Sequence, residues 1–204
     1  MPRIDDYINA KKISVETLSK ELLNDISYRS GFKIIENKLI IPFLNRVYNV
    51  NYPDFNFFDT IEPSKDIPIQ EQVLILHYLI GKNFKKTGRF IAYREIKGAA
   101  FYYSAFVKRA IDPLKKVFGR NISDFSASAE LLKGSKINFG DVGFEFSIFP
   151  NVPIQIVLWA GDEEFPPEAN ILFDETIGEL MSPEDIAWLS GMLSYRLISL
   201  TRKV

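Results

Sequence analysis

From Ser14 to Arg29 the apolar residues Val15, Leu18, Leu22, Leu23 and Ile26 recur at intervals of three and four, the period of one helix face. Ser14 is placed to cap that helix, and Ser30-Gly31 to end it, because glycine tolerates a left-handed turn. The pattern then changes. Residues 32–52, FKIIENKLIIPFLNRVYNVNY, are rich in Ile, Val, Phe and Tyr, which predicts two or three antiparallel strands with IENK as a turn. Pro42 belongs at an edge or a bulge, since it cannot donate to a ladder. Residues 59–68 read as a loop. At 69–81, Ile69, Val73, Leu76 and Ile80 mark one helix face, and Leu74, Ile75 and Leu79 fill much of the rest, the pattern of a buried helix stopped by Gly81.

GRFIAYREIKG, 88–98, predicts a strand, and 99–119 a helix bending near Pro113, whose ring crowds the carbonyl four residues back. Asn121 caps a shorter helix with Ile122, Phe125, Ala129 and Leu132 on one face and Gly134 at its end. VGFEFSIF and IQIVLW predict strands joined by PNVP. An acidic loop and NILFD follow. The last helix opens at SPEDIAWL, with Ser182 as cap, Pro183 at the first helical position and Asp185 three past the cap. Ile186, Leu189, Leu193, Leu197 and Leu200 form its inner face, and Arg196, Arg202 and Lys203 suit the negative end of its dipole. The sum is an α+β fold, an antiparallel β-sheet covered by several helices with a long C-terminal helix. At 204 residues, one domain spanning 1–204 is expected.

Composition narrows the functions. The 17 Phe, 9 Tyr and 2 Trp argue against disorder, and a net charge of −1 gives no field to draw the chain to nucleic acid. No cysteine is present, which removes disulfides, thiolate nucleophiles and cysteine-ligated zinc or iron–sulfur sites. MPRIDDYINAKK lacks the apolar core of a signal peptide, and the most apolar helix is too short for a bilayer, so a soluble cytoplasmic protein without membrane contact is expected.

Charge is segregated. Lys82 to Arg120 holds eleven Lys and Arg against two acids, whereas Ile137 to Tyr195 holds eleven Asp and Glu and no base. The two segments can dock on each other, or form a two-signed surface. The densest point, GDEEFPPEANILFDE, gathers Asp162, Glu163, Glu164 and Glu168 around Phe165 beside Trp159. These acids can serve as a surface-charged loop, as contacts for a cationic partner, or as oxygen ligands, although their spacing is not that of an EF-hand and no metal site is assigned. His77, the one histidine, sits in an apolar helix and reads first as a hydrogen-bonded core residue. Phosphate-loop, dinucleotide, kinase and nucleophile-elbow patterns are all absent. KNFKKTGRF is basic with aromatics, but reads as a solvated turn. Tyr93, Phe101, Tyr102, Tyr103 and Phe106 form an aromatic cluster with Arg94. Consecutive helix residues diverge by about 100°, so some of these rings must leave the core, where a groove near Arg94 would suit a planar or anionic ligand.

LHYLIG, TGRFIAYREIKGAAFYYSAF, PLKKVFG, VPIQIVLWAGDEEFPPEANILFDET and SPEDIAWLSGML resemble the DUF3786 family, a bacterial and archaeal domain of unknown function. The resemblance runs over about residues 15–200, as one copy of that domain, and implies no particular reaction. Some relatives carry an added cysteine-rich iron–sulfur segment and occur in anaerobes, which implies an accessory role in iron–sulfur or corrinoid metabolism. This chain departs from them in having no cysteine, so no such cluster can be bound, no cofactor is assigned, and such a role would run through a partner. For a corrinoid or other tetrapyrrole, His77 is the single imidazole available as an axial ligand.

Three readings follow. The first is a non-catalytic module binding a protein or small planar ligand through Trp159, Asp162, Glu163, Glu164, Phe165, Tyr93, Arg94, Tyr102, Tyr103 and His77. The second is an enzyme with Glu163 or Glu164 as acid or base. The third is a structural interaction protein, such as a homodimer formed through sheet edges.

Overall fold

A computed structural model describes residues 4–82 and 85–201. Arg202 and Lys203, assigned above to the end of the last helix, lie outside the described residues, as do Asn83 and Phe84 of the basic stretch. The fold is α+β, with two antiparallel sheets and a long C-terminal helix. Its contacts cluster into two compact units: Met1–Lys85 with Phe149–Asn151 and Glu179–Met181, and Lys86–Ile148 with Val152–Gly178 and Ser182–Val204.

The first unit opens with helices α1 (Ile4–Leu18) and α2 (Leu23–Ser30), where periodicity predicts one helix over 14–29. Asp5 and Asp6 favour the positive end of α1, and Ser14 is buried within it instead of capping it. Past Leu18 the backbone bonds tighten to a three-residue span, Lys20 to Thr17 and Glu21 to Leu18, and the helix breaks. The break leaves Glu21 paired with Arg29, whose Nε also donates to Leu79 O at 2.7 Å. Gly31 ends α2 at φ 76°, the left-handed turn foreseen.

A meander follows, β1 (Lys33–Ile35), β2 (Lys38–Phe43), β3 (Arg46–Asn51) and β4 (Phe57–Asp59), paired in chain order. Alternation puts Leu39, Ile41, Phe43, Tyr48 and Val50 in the core. β1 pairs β2 only over Lys38–Ile40, so Pro42 sits on a stretch with one free edge. Helix α3 (Ile69–Ile80) packs with α1 and α2, and Val73, Leu74, Ile75, Leu76, Tyr78 and Leu79 are all buried. Tyr78 stacks on Phe149 at 4.3 Å, and burial pushes its hydroxyl up to about 12.

In the second unit a five-stranded sheet runs β5–β9–β8–β7–β6. The strands are β5 (Phe90–Ala92), β6 (Ser135–Ile137), β7 (Val142–Phe149), β8 (Val152–Trp159) and β9 (Glu168–Asp174). The strand foreseen over 88–98 is thus only three residues long, because the chain turns into a 3-10 helix at Tyr93–Glu95.

The predicted helix 99–119 is composite: a 3-10 turn (Ala99–Tyr102), α4 (Tyr103–Phe106), a π-helical turn (Val107–Ile111) and α5 (Asp112–Phe118). The wide turn closes with Asp112 N–H donating to Val107 O, directly ahead of Pro113. Proline has no N–H and would crowd the carbonyl of Arg109 in a regular helix, so the chain widens at this point.

Asn121 caps α6 (Ile122–Leu131), accepting the Asp124 N–H as foreseen. The left-handed residue at its end is Lys133, φ 59°, and not Gly134. Gly134 is needed for close approach instead, since a Cβ there would lie 2.7 Å from Phe146 Cε1. A short α7 (Ile177–Leu180) precedes α8 (Pro183–Thr201), where Ser182 Oγ accepts the Asp185 N–H at 3.1 Å. Ile186, Leu189, Leu193, Leu197 and Leu200 are buried as predicted. Ser190, Gly191 and Ser194 are also buried, and a Cβ on Gly191 would sit 3.4 Å from Arg109 Cβ, so α8 lies close against the π turn. No helix among the described residues is long and apolar enough to cross a membrane.

Candidate functional site

A cavity of about 330 Å³ opens in the second unit, where the end of β5, the π turn and the start of β9 converge. Pairing of β5 with β9 sets Ala92 opposite Leu172 and carries Tyr93 and Arg94 past Asn170. The aromatic wall is built from Tyr93, Tyr103 and Phe106. Tyr93 stacks on Phe106 with centroids 4.2 Å apart and planes inclined by 4°. It is 1% exposed, and its hydroxyl donates to Pro183 O at 2.7 Å. Burial raises its pKa, with Tyr102 and Glu184 adding in the same direction, so it stays a neutral donor.

Above this wall lies Arg94, its guanidinium carbon 3.8 Å from the Tyr103 ring centroid. Val107 and Ile111 of the π turn supply apolar surface, and Asp112, Lys115 and Glu168 supply charge. Lys115 Nζ and Glu168 Oε1 stand 3.5 Å apart. The cavity therefore offers some apolar surface, a fixed cation and charges of both signs, the features of a small-molecule site.

Of the aromatic cluster and Arg94 singled out in the sequence, Tyr93, Arg94, Tyr103 and Phe106 line the cavity. Tyr102 does not. Its hydroxyl donates to Glu184 Oε2 at 3.2 Å, and the negative charge of Glu184 raises its pKa, with burial adding to this. Phe101 is 85% exposed, so the three consecutive rings do diverge. His77 is half-buried on α3 and belongs to the first unit. Asp112 and Lys115 were missed, because in sequence they read only as part of a basic segment.

The acidic stretch is the hairpin loop between β8 and β9, with Trp159 opposite Glu168. It closes on itself. Asp162 Oδ1 accepts the N–H groups of Glu164 (2.8 Å) and Phe165 (2.7 Å), and these bonds hold its carboxyl below the ordinary value. Gly161 N–H donates to Gly119 O at 2.8 Å, which ties the loop to the end of α5. Trp159 packs edge-on against Phe139 at 5.8 Å, while Phe165 is 67% exposed.

Asp162, Glu163 and Glu164 are exposed, and with Trp159 and Phe165 they stand outside the cavity lining, which takes only Glu168 from the acidic string. Among the described residues no group of three His, Cys, Asp or Glu is arranged to hold a metal ion, which leaves the oxygen-ligand reading of this loop without a cluster. The two charge-segregated segments meet in part, through Arg89–Glu175 at 3.4 Å and Lys115–Glu168.

The family model "Domain of unknown function (DUF3786)" matches residues 23–196. Neither the curated proteins nor the solved structures include one that matches the chain.

Proposed function

The chain belongs to the DUF3786 family, and from that premise we propose that it is a ligand-binding module whose site is the cavity beside Arg94. The observation that carries this reading is a guanidinium held over the Tyr103 ring inside one 330 Å³ cavity, braced from behind by the buried Tyr93–Phe106 stack. Tyr103, Val107 and Ile111 supply apolar area for a small planar group, and Arg94 supplies a charge-assisted donor for an anionic one. The ligand is then a small planar molecule bearing an anionic group. The module acts as an accessory component, and any link to iron–sulfur or corrinoid chemistry is exercised through a partner, since the chain has no cysteine.

The enzyme reading through Glu163 or Glu164 draws no support from the geometry, because both side chains project from the loop and not into the cavity. The test is a calorimetric titration with small aromatic carboxylates, benzoate and 3-phenylpropionate among them, on the full chain and on Arg94→Gln. Saturable binding weakened by about tenfold or more in the variant is expected, the worth of one charge-assisted bond. Equal affinities for the two proteins would overturn the assignment.

A further inference from the structure

The cavity's charges do not cancel in a uniform way. Lys115 and Glu168 neutralise each other across 3.5 Å. Arg94 and Asp112 line the same cavity, and among the described residues neither has an ion-pair or hydrogen-bond partner for its charged group. Arg94 is engaged only by the face of Tyr103, which leaves its N–H edge free to donate. Asp112 is brought to the cavity by the π turn, whose five-residue closure turns it back toward the side of Val107, itself a lining residue.

We infer that the ligand is a zwitterion of amino-acid type, its carboxylate at Arg94, its ammonium at Asp112 and its side chain against the half-buried Tyr103, Val107 and Ile111. This rests on the reading of the cavity as a ligand site and deepens it. A purely anionic ligand would satisfy Arg94 but face the like charge of Asp112. A purely cationic one would meet the reverse penalty at Arg94. A ligand with both charges matches both groups, and each unmatched charge counts against the competitor. The volume of about 330 Å³ lies at the small end of ligand cavities, which suits a ligand the size of one amino acid.

The probes are L-phenylalanine, 3-phenylpropionate (no ammonium) and 2-phenylethylamine (no carboxylate), titrated calorimetrically into the full chain, Asp112→Asn and Arg94→Gln. Both substituted side chains are exposed, and circular dichroism is the check that the variants fold. L-Phenylalanine is expected to bind about tenfold or more tightly than either analogue, the worth of one charge-assisted contact. In Asp112→Asn that advantage over 3-phenylpropionate should vanish, while 3-phenylpropionate keeps or gains affinity. In Arg94→Gln both carboxylates should weaken together. If 3-phenylpropionate binds as well as L-phenylalanine, the zwitterion is wrong and the cavity reading survives. If Asp112→Asn leaves the advantage intact, the ammonium site is wrong. If none of the three binds, both readings fall.

Discussion

Asp174 accepts the backbone N–H of Gly88 at 2.8 Å, across 86 residues of chain, while only 1% exposed at the end of β9. The same carboxylate takes the N–H of Thr87 at 3.0 Å and both the N–H and hydroxyl of Thr176. One side chain thus fixes how the chain enters β5, and through β5 the position of Tyr93 and Arg94. Replacing Asp174 by Ala orphans these donors. We expect a loss of about 2–4 kcal/mol in urea unfolding, together with weaker ligand binding at the cavity.

Acid should act through the same group. Burial pushes the Asp174 carboxyl up, but the bonds from Thr176, Gly88 and Thr87 outweigh it and hold the pKa below its ordinary value of 3.8. A depressed folded-state pKa stabilises the fold above the unfolded-state value, and that stability is lost as pH falls through the folded-state value. Asp59, buried and paired with Arg46, shifts in the same direction, with burial again opposed by hydrogen bonds from Glu62, Arg46 and Ile61. Stability measured by chemical denaturation should stay level on this account from neutrality down to about pH 5 and fall below about pH 4. In Asp174→Ala that fall should be shallower.

Gly134→Ala should destabilise by about 1–3 kcal/mol, because the added methyl meets the Phe146 ring and the core must shift to admit it. Thermal unfolding measures this. Lys133→Gly, at the left-handed position, should leave stability the same or raise it.

Glu163→Gln with Glu164→Gln should leave both melting temperature and ligand affinity unchanged, since both residues are exposed outside the cavity lining. A tenfold change in affinity would return the acidic loop to the centre of the function.

The legible parts of this fold are those where one period runs unbroken between clear stops. Helix α3 and helix α8 repeat apolar residues at helical spacing up to Gly81 or from Ser182, strand β7 alternates up to Pro150-Asn151, and β8 is a near-continuous apolar run after it. The first helix defeats the same logic because Leu22 continues the period although it is exposed, and the break before it rests on backbone bonds that no side chain announces. At the site, Tyr93, Arg94 and Tyr103 were legible from the crowding of aromatics around a base. Asp112 was not, because its position depends on one wide turn. The acidic string drew attention by composition, yet its Asp162 is occupied by its own loop.

That wide turn changes the phase of the helix. In a regular α-helix, five residues advance the side chain by about 500°, so Asp112 would point about 140° away from Val107. The π closure turns Asp112 back toward the side of Val107. Downstream of it, α5 behaves as if one residue had been inserted, and its faces are counted from a new origin. Regular winding over Val107–Ile111 at the same length would turn Asp112 and Lys115 off the cavity together. Deleting one residue there would instead set Asp112 four after Val107, about 400° on, and keep it near the same face. The width of this one turn sets which charges the ligand meets.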